Sequence, residues 1–525
     1  MIIVDDRGAL PRTLAAAALV AGVAAWAYYL QAGLVLSHYD ARAHLVVARR
    51  VIDSITPGWQ QVGAVWLPLP HLINLLPAQV DVLYRTGLFA SGISVASFGV
   101  CAWATARLVL AATGSTAGAV TAAAVLALNP NLLYLQATPM TEPLLLALSA
   151  LAVLWLFEWV QADRDEMPRR LGLALAALAW TRYEGWAVVA AAWAAAVYAW
   201  WRGGVPMAIV ARRAARLAAW PGAAVLLFLL NSRVTVGAWF VSGGFYVPDP
   251  TYQGRIGRTL VSIWWGTHRL GGYGLEIAAL ASAGVLIVRA LTRRREAALV
   301  APLALFAAAA LPFAAFVSGH PYRIRYMVPL VAACAATAGI GIGLIAARRA
   351  GRVLAAALVV ATLIESPPWW QGAPLLVEAQ WDRPNTAARR AVTACLAPAY
   401  RGEKILASMG SLAHYMQDLS REGFDIADFV HEGNGAIWEL ALATGPAPHA
   451  GWMLVEEVAE GGDVLAQRLR IDAAFGAGMR RVCEGGGVSL YRRDAAETRR
   501  NGGADQKVGA NRRKWCLTPI HPPAE

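Results

Sequence analysis

The stretch TLAAAALVAGVAAWAYYLQAGLVL (13–36) runs directly into SHYDARAHLVVARRVIDSITPGWQQVGAVWLPLPH (37–71), and this join decides the class of the fold. The first segment carries no charge and exceeds the roughly 20 apolar residues that a helix needs to cross a bilayer. It leads into a charged stretch instead of a mature soluble domain, so it reads as an uncleaved anchor and not as a signal peptide. The second segment gathers Asp40, Arg42 and His44, then an amphipathic run, then Trp66, Pro68, Pro70 and His71. Loops that only connect helices are short and variable in composition. One that collects ionisable and aromatic groups beside a membrane is a candidate active site.

Composition extends this reading to the whole chain. Of 525 residues, 58% are hydrophobic and 15% charged, which excludes an ordinary soluble enzyme and indicates a polytopic helical membrane protein. About eleven transmembrane segments emerge at roughly 20 residues each. They lie near 13–36, 86–111, 115–135, 142–160, 171–181, 185–201, 217–232, 271–290, 298–317, 326–347 and 353–365. The pair flanking TRYEGW (181–186) reads as two helices broken at or within the membrane, which requires cover from protein or a wet cavity.

The net charge of +12 reflects membrane orientation and not a nucleic-acid partner. Arg7 and Arg12, Arg164, Arg169 and Arg170, Arg202 to Arg216, Arg293 to Arg295, and Arg348 to Arg352 alternate with the apolar segments so as to fall on one side. That side is expected to be the cytoplasm, with the N-terminus on it. The opposite face receives 37–71, PNLLYLQATPMTEP (130–143), TRYEGW, the loop 233–270, SGHPYRIR (318–325) and everything after 366.

Three domains are expected: a membrane domain over 1–366, an extracytoplasmic soluble domain over 367–493, and a disordered basic tail over 494–525. KILASMG (404–410), GWMLVEE (451–457) and VSLYRR (488–493) read as strands, and 385–396 and 411–420 as helices, giving a small α/β layer. Outside the cytoplasm, Cys395 and Cys483 are free to pair, whereas Cys101 and Cys334 read as core residues of apolar segments. No cysteine spacing matches a zinc site.

Asp40 is the sharpest signal, because an ionisable group at the mouth of a helical bundle is costly unless solvated or paired. The same position suits an acid capping the helix that follows. A helix over 41–53 places His44 one turn from Asp40 and lines up Leu45, Ala48, Ile52 and Ile55 as a stripe suited to the bilayer surface. Arg49, Arg50 and Asp53 then face solvent or headgroups. Trp66 and His71 bracket a rigid aromatic turn, a place for a membrane anchor or for stacking a sugar ring. Glu142 opens a helix between Pro139 and Pro143. Arg182 and Glu184 at the helix break suit an internal ion pair. His320, Tyr322, Arg323 and Arg325 offer two neighbouring guanidinium forks for a phosphate. In 233–270, Arg255, Arg258, His268 and Arg269 pool with Tyr246, Tyr252, Trp264 and Trp265, as an anionic lipid ligand would require.

The Asp40 loop, WLPLPH (66–71), TEP (141–143), TRYEGW and RIRYMVP (323–329), in this order and on one side, resemble the GT-C superfamily of integral-membrane glycosyltransferases. That group includes the protein O-mannosyltransferases and aminoarabinose transferases. The resemblance covers 1–365. It implies a polyprenyl-phosphate-linked sugar as donor, a reaction on the extracytoplasmic face of the plasma (inner) membrane, and a protein, lipid or glycan hydroxyl as acceptor. It assigns Asp40 as general base, a role that calls for a pKa raised from near 4. Arg323 and Arg325 then meet the departing phosphate, with Arg182 behind them. Arg42, His44, Trp66, His71, Glu142, Glu184, His320 and Tyr322 complete the substrate-contacting set. Ala41 stands where many mannosyltransferases carry a second acid. No cofactor beyond the donor is implied, and no ligand set supports a divalent metal. Two other readings fit the same sequence: a transporter or flippase of lipid-linked saccharides, and a non-catalytic envelope-assembly protein.

Overall fold

The computed structural model describes residues 6–241 and 248–494. Tyr246 and the tail from 495 lie outside the described residues. The chain divides into two compact units. One comprises 6–49, 67–226 and 248–383; the other takes 50–66, the stretch from 227 and the stretch from 384.

The first unit is helical. It begins with α1 (Asp6–Gln31), α2 (Tyr39–Arg50), α3 (Leu69–Asn74), α4 (Asp81–Thr86) and α5 (Leu88–Thr113). α6 (Thr116–Leu128), α7 (Pro130–Leu135), α8 (Glu142–Ala162), α9 (Arg169–Ala179), α10 (Glu184–Gly203) and α11 (Met207–Thr235) follow. α12 (Ile256–Gly271), α13 (Tyr273–Thr292), a 3-10 stretch (Arg294–Ala309), α14 (Ala310–Val317), α15 (Val328–Gly343), α16 (Arg348–Glu365) and α17 (Pro374–Glu378) complete it.

Among the described residues, seven helical stretches are long and apolar enough to cross a membrane. They are Gly8–Gln31, Leu88–Thr113, Glu142–Ala162, Met207–Thr235, Tyr273–Thr292, Arg294–Val317 and Ile324–Gly343. With the small sheet near the C-terminal end, this is the architecture of a helical membrane protein. The expected segment 115–135 is not continuous. Asn129 leaves the helix and its side chain accepts the N–H groups of Asn131 and Leu132, so that Pro130 opens α7 as a new helix.

α5 and α15 lie at the centre of this unit, α5 against α1, α6 and α8, and α15 against α6 and α13. Helices in hydrocarbon gain little from apolar burial and associate where small residues let backbones meet. α6 and α15 do so at Gly118 and Gly339, where a Cβ on either glycine would run into the other's backbone.

The first-loop helix departs from expectation. α2 ends at Arg50, and Asp40, Ala41 and Ala43 to Arg49 are buried in protein instead of presenting a stripe to a bilayer. Arg49, expected to face solvent or headgroups, donates to Asp81 Oδ1 at 2.7 Å and lies 4.5 Å over the Tyr84 ring. Its partners come from α4, so no local pattern announces them.

The second unit is a five-stranded mixed sheet in the order β2-β1-β3-β5-β4. After α18 (Arg383–Leu396), its elements are β1 (Ile405–Ala407), α19 (Met409–Leu419), β2 (Phe429–Val430), α20 (Ala436–Thr444), β3 (Trp452–Glu456), α21 (Val464–Ile471), β4 (Met479–Gly485) and β5 (Val488–Arg493). β1 pairs in parallel with β2 and β3, and the β4–β5 hairpin adds antiparallel to β3. The β1 and β3 side chains are buried throughout, as strands covered on both faces require. Cys395 and Cys483 form a disulfide, with Cα atoms 6.6 Å apart.

Residues 50–66 are stitched into this unit. Asp53, expected to face solvent or headgroups, accepts the N–H groups of Ile426 (3.1 Å) and Ala427 (2.9 Å). Asn434 donates to Ser54 and Thr56, and Gln61 donates to the Gly433 carbonyl at 2.8 Å. Arg50 donates to the Gln61 carbonyl at 2.6 Å.

His431, fully buried, accepts the Gly433 N–H through Nδ1, and burial with Arg50 nearby drives its pKa down to about 3. The folded chain therefore keeps this ring neutral while the unfolded chain protonates it below about 6.5. The stability that this neutral ring contributes is fully present above about 6.5 and is lost as pH falls toward 3. About 2 kcal/mol should disappear between pH 6.5 and 5. Asp463 has the opposite sign: burial pushes it up to about 6, so it favours the fold as pH drops below that value. The measurement is accordingly a difference. His431→Asn, which keeps an acceptor for Gly433, should flatten the acid-side loss of thermal stability relative to wild type, and parallel pH curves would refute it.

Candidate active site

The starts of three helices and the turn before a fourth meet in one cluster of the first unit. Gly33, at φ 69, closes α1 in the left-handed conformation that favours glycine, and the chain turns into α2 with Asp40 in its first turn. Glu142 is the first residue of α8, after Thr141 and before Pro143. Glu184 is the first residue of α10, just past the break at 180–183. That break requires glycine at 185, because a Cβ there would lie 2.5 Å from the Leu178 carbonyl oxygen. Arg325 sits in the 3-10 turn Ile324–Met327 that leads into α15. Helix N-termini are electropositive, which is why three acids are tolerated at these positions.

Two arginines bind the acids together. Arg325 Nη2 pairs with Asp40 Oδ2, both side chains 8% exposed, and its Nε faces Glu142 Oε1 at 3.7 Å. Arg182 Nη1 lies 3.1 Å from Glu142 Oε1 and 2.9 Å from Thr141 Oγ1. Arg182 also takes Glu184 in a fork, at 2.7 Å from Nη2 and 3.1 Å from Nε to Oε1. The result is a chain of alternating charge, Asp40–Arg325–Glu142–Arg182–Glu184, almost wholly buried.

Three participants were not singled out from sequence. His38 accepts the Asp40 backbone N–H at Nδ1 (3.1 Å) and meets Arg325 Nη1 at Nε2 (3.0 Å). Glu378 of α17 faces His38 Nε2 at 4.0 Å, and Thr141 receives Arg182. His38 stood two residues from Asp40 and was legible as part of the same cluster. Glu378 lies over 300 residues along the chain, beyond any local signal.

Of the other expected residues, His44 and His71 form a buried pair, with Nδ1 of His44 3.1 Å from Nε2 of His71. His71 Nδ1 lies 3.1 Å from the Leu67 carbonyl, which can only accept, so the proton runs in one direction along the pair. Burial, His71 and Arg182 hold His44 well below the usual imidazole range, against the pull of Asp40. Arg42 donates to the Leu36 carbonyl. His320 meets Tyr326 at 3.3 Å, and Tyr322 packs among Tyr252, Phe316 and Trp265. Arg323, half-buried, donates to the Tyr322 carbonyl at 3.4 Å and acts with Arg325 to lower the Asp40 pKa. Trp66 belongs to the second unit.

Asp40 does not have the raised pKa expected of a base. Burial favours its neutral form, but Arg325, with His38, His44 and Arg323 around it, holds the carboxyl below the usual carboxylate range. One turn beyond the charged chain, a narrow crevice with room for about one water is lined by Leu145, Leu146 and Ser149 of α8, Val188 of α10, Pro329 of α15, and Thr105 of α5. Among the described residues, no group of three or more His, Cys, Asp or Glu side chains is placed to hold a metal ion.

Compared with known proteins, the chain matches no family model and no curated sequence.

Proposed function

We propose that the chain is a GT-C-like glycosyltransferase that moves a sugar from a polyprenyl-phosphate donor to an acceptor hydroxyl on the extracytoplasmic face of the membrane. The observation that carries this reading is the buried pair Asp40–Arg325 at the start of the first-loop helix. A lipid-linked phosphosugar needs a cation for the phosphate and an acceptor for a proton. Arg325 and Asp40 offer these two in direct contact.

In the proposed reaction the acceptor oxygen attacks the anomeric carbon opposite the phosphate. The bond from that carbon to the phosphate oxygen breaks, its electron pair leaves on the phosphate, and the hydroxyl proton passes to Asp40. The configuration at the anomeric carbon inverts. Arg325, with Arg182 behind it, offsets the charge that develops on the phosphate.

We further propose eleven membrane crossings, α9, α10, α16 and the α6–α7 pair supplementing the seven long apolar stretches, with the N-terminus cytoplasmic. Two features support this orientation. α8 and α10 start at the charged cluster and end toward connections rich in arginine, as the cytoplasmic side requires. The Cys395–Cys483 disulfide suits an exported sheet unit.

The test is to incubate membranes containing the chain with a panel of polyprenyl-phosphate hexoses and pentoses and follow liberation of polyprenyl phosphate. Release above that of membranes lacking the chain is expected for one donor, and its absence across the panel would overturn the assignment.

A further inference from the structure

Arg325 is a strong set of donors served by poor acceptors. Only Nη2 has a close carboxylate, Asp40 Oδ2. Nε is buried and has no hydrogen-bond partner among the described residues, with Glu142 Oε1 3.7 Å away. Nη1 meets His38 Nε2 at 3.0 Å, and that contact is frustrated. A backbone N–H can only donate, so the 3.1 Å bond from the Asp40 N–H requires the lone pair on His38 Nδ1. The proton of the neutral ring then sits on Nε2 and opposes the N–H of Arg325.

A phosphate group offers several oxygens at the spacing of a guanidinium fork and outcompetes such partners. The electropositive starts of α2, α8 and α10 favour an anion at the same place.

We infer that Arg325 changes partners in each cycle: the phosphate of a lipid-linked donor takes the guanidinium edge now turned to Asp40 and His38, and Asp40 is released to accept a proton. This rests on the lipid-phosphate reading above and adds to it a coupling between donor arrival and the readiness of the base. His38 is then a positioning residue, relieved of the opposed N–H while still holding the Asp40 backbone. The charged and titratable groups facing Asp40 are Arg325 and Arg323 from the turn before α15, His44 from α2, and His38. Beyond Arg325 stand Glu142 and Arg182. With Arg325 drawn away, burial becomes the dominant influence on Asp40 and raises its affinity for protons.

The experiment labels the full-length protein in membranes with a hydrophobic carbodiimide, which attacks protonated carboxyls, and quantifies modified Asp40 by mass spectrometry. The probe is polyprenyl phosphate carrying no sugar, with its binding measured in parallel. Asp40 labelling should be low in the resting protein and rise with saturating probe, about tenfold per unit of pKa gained. Arg325→Gln should label strongly with or without probe, and inorganic phosphate at the same concentration should have no effect. Saturable binding with unchanged or reduced Asp40 labelling would overturn the exchange while leaving the lipid-phosphate reading intact. No saturable binding would overturn both. An equal response to inorganic phosphate would overturn the assignment to a lipid-linked group. The wild-type comparison remains decisive even if Arg325→Gln fails to fold.

Discussion

Replacing Asp40 by asparagine is expected to lower turnover by about 10²- to 10⁴-fold, the usual contribution of a positioned proton acceptor. Asparagine preserves the shape of the side chain and an oxygen toward Arg325, and it leaves the backbone N–H that His38 accepts. It removes the negative charge and the ability to take a proton at neutral pH. Donor affinity should fall little, because Arg325 loses a competitor for phosphate instead of a donor, so the defect belongs in kcat. Single-turnover release from a polyprenyl-phosphate donor separates the two quantities. Activity within about threefold of wild type would sink the proposed role, since even the low end of general-base effects is about 10²-fold.

Removing Arg182 is the second large effect, and it falls on stability. Its guanidinium joins Glu142, Glu184 and Thr141, with both carboxylates no more than 1% exposed. Deleting one partner of a buried ion pair leaves an uncompensated charge and costs about 3–5 kcal/mol. Arg182→Met leaves two such carboxylates, with only Arg325 at 3.7 Å from Glu142. Its half-life in detergent at a fixed temperature should shorten severely. Adding Glu184→Gln should restore part of it, because a neutral amide no longer needs the cation. An unchanged half-life for the single variant would show that the carboxylates are already protonated or hydrated.

Much of the candidate site was legible because membrane burial makes charge conspicuous. Asp40, Glu142, Arg182, Glu184 and Arg325 stood out as ionisable groups at the ends of apolar segments, and all five lie in one buried chain. Arg323 is an extended residue at the start of the 3-10 turn that holds Arg325, and both act on Asp40. His38 lies beside Asp40 in sequence, but only the fold brings Arg325 to its ring. In the sheet unit, β1, β3 and β5 were legible as apolar runs, whereas two-residue β2 and β4, none of whose residues is fully buried, carry no burial pattern to read.

The sequence by itself determined that this is a helical membrane protein and where its charged helix ends lie, because the hydrocarbon core imposes length and polarity on each segment one at a time. Only the tertiary structure decided which charges neutralise which. Asp40 and Arg325 are 285 positions apart, and His38 and Glu378 are 340. Nothing in the local composition of either partner specifies the other. Coulombic pairing in a buried site depends on distances of a few ångströms, so the protonation of Asp40 is a property of the packed bundle and not of the loop that carries it.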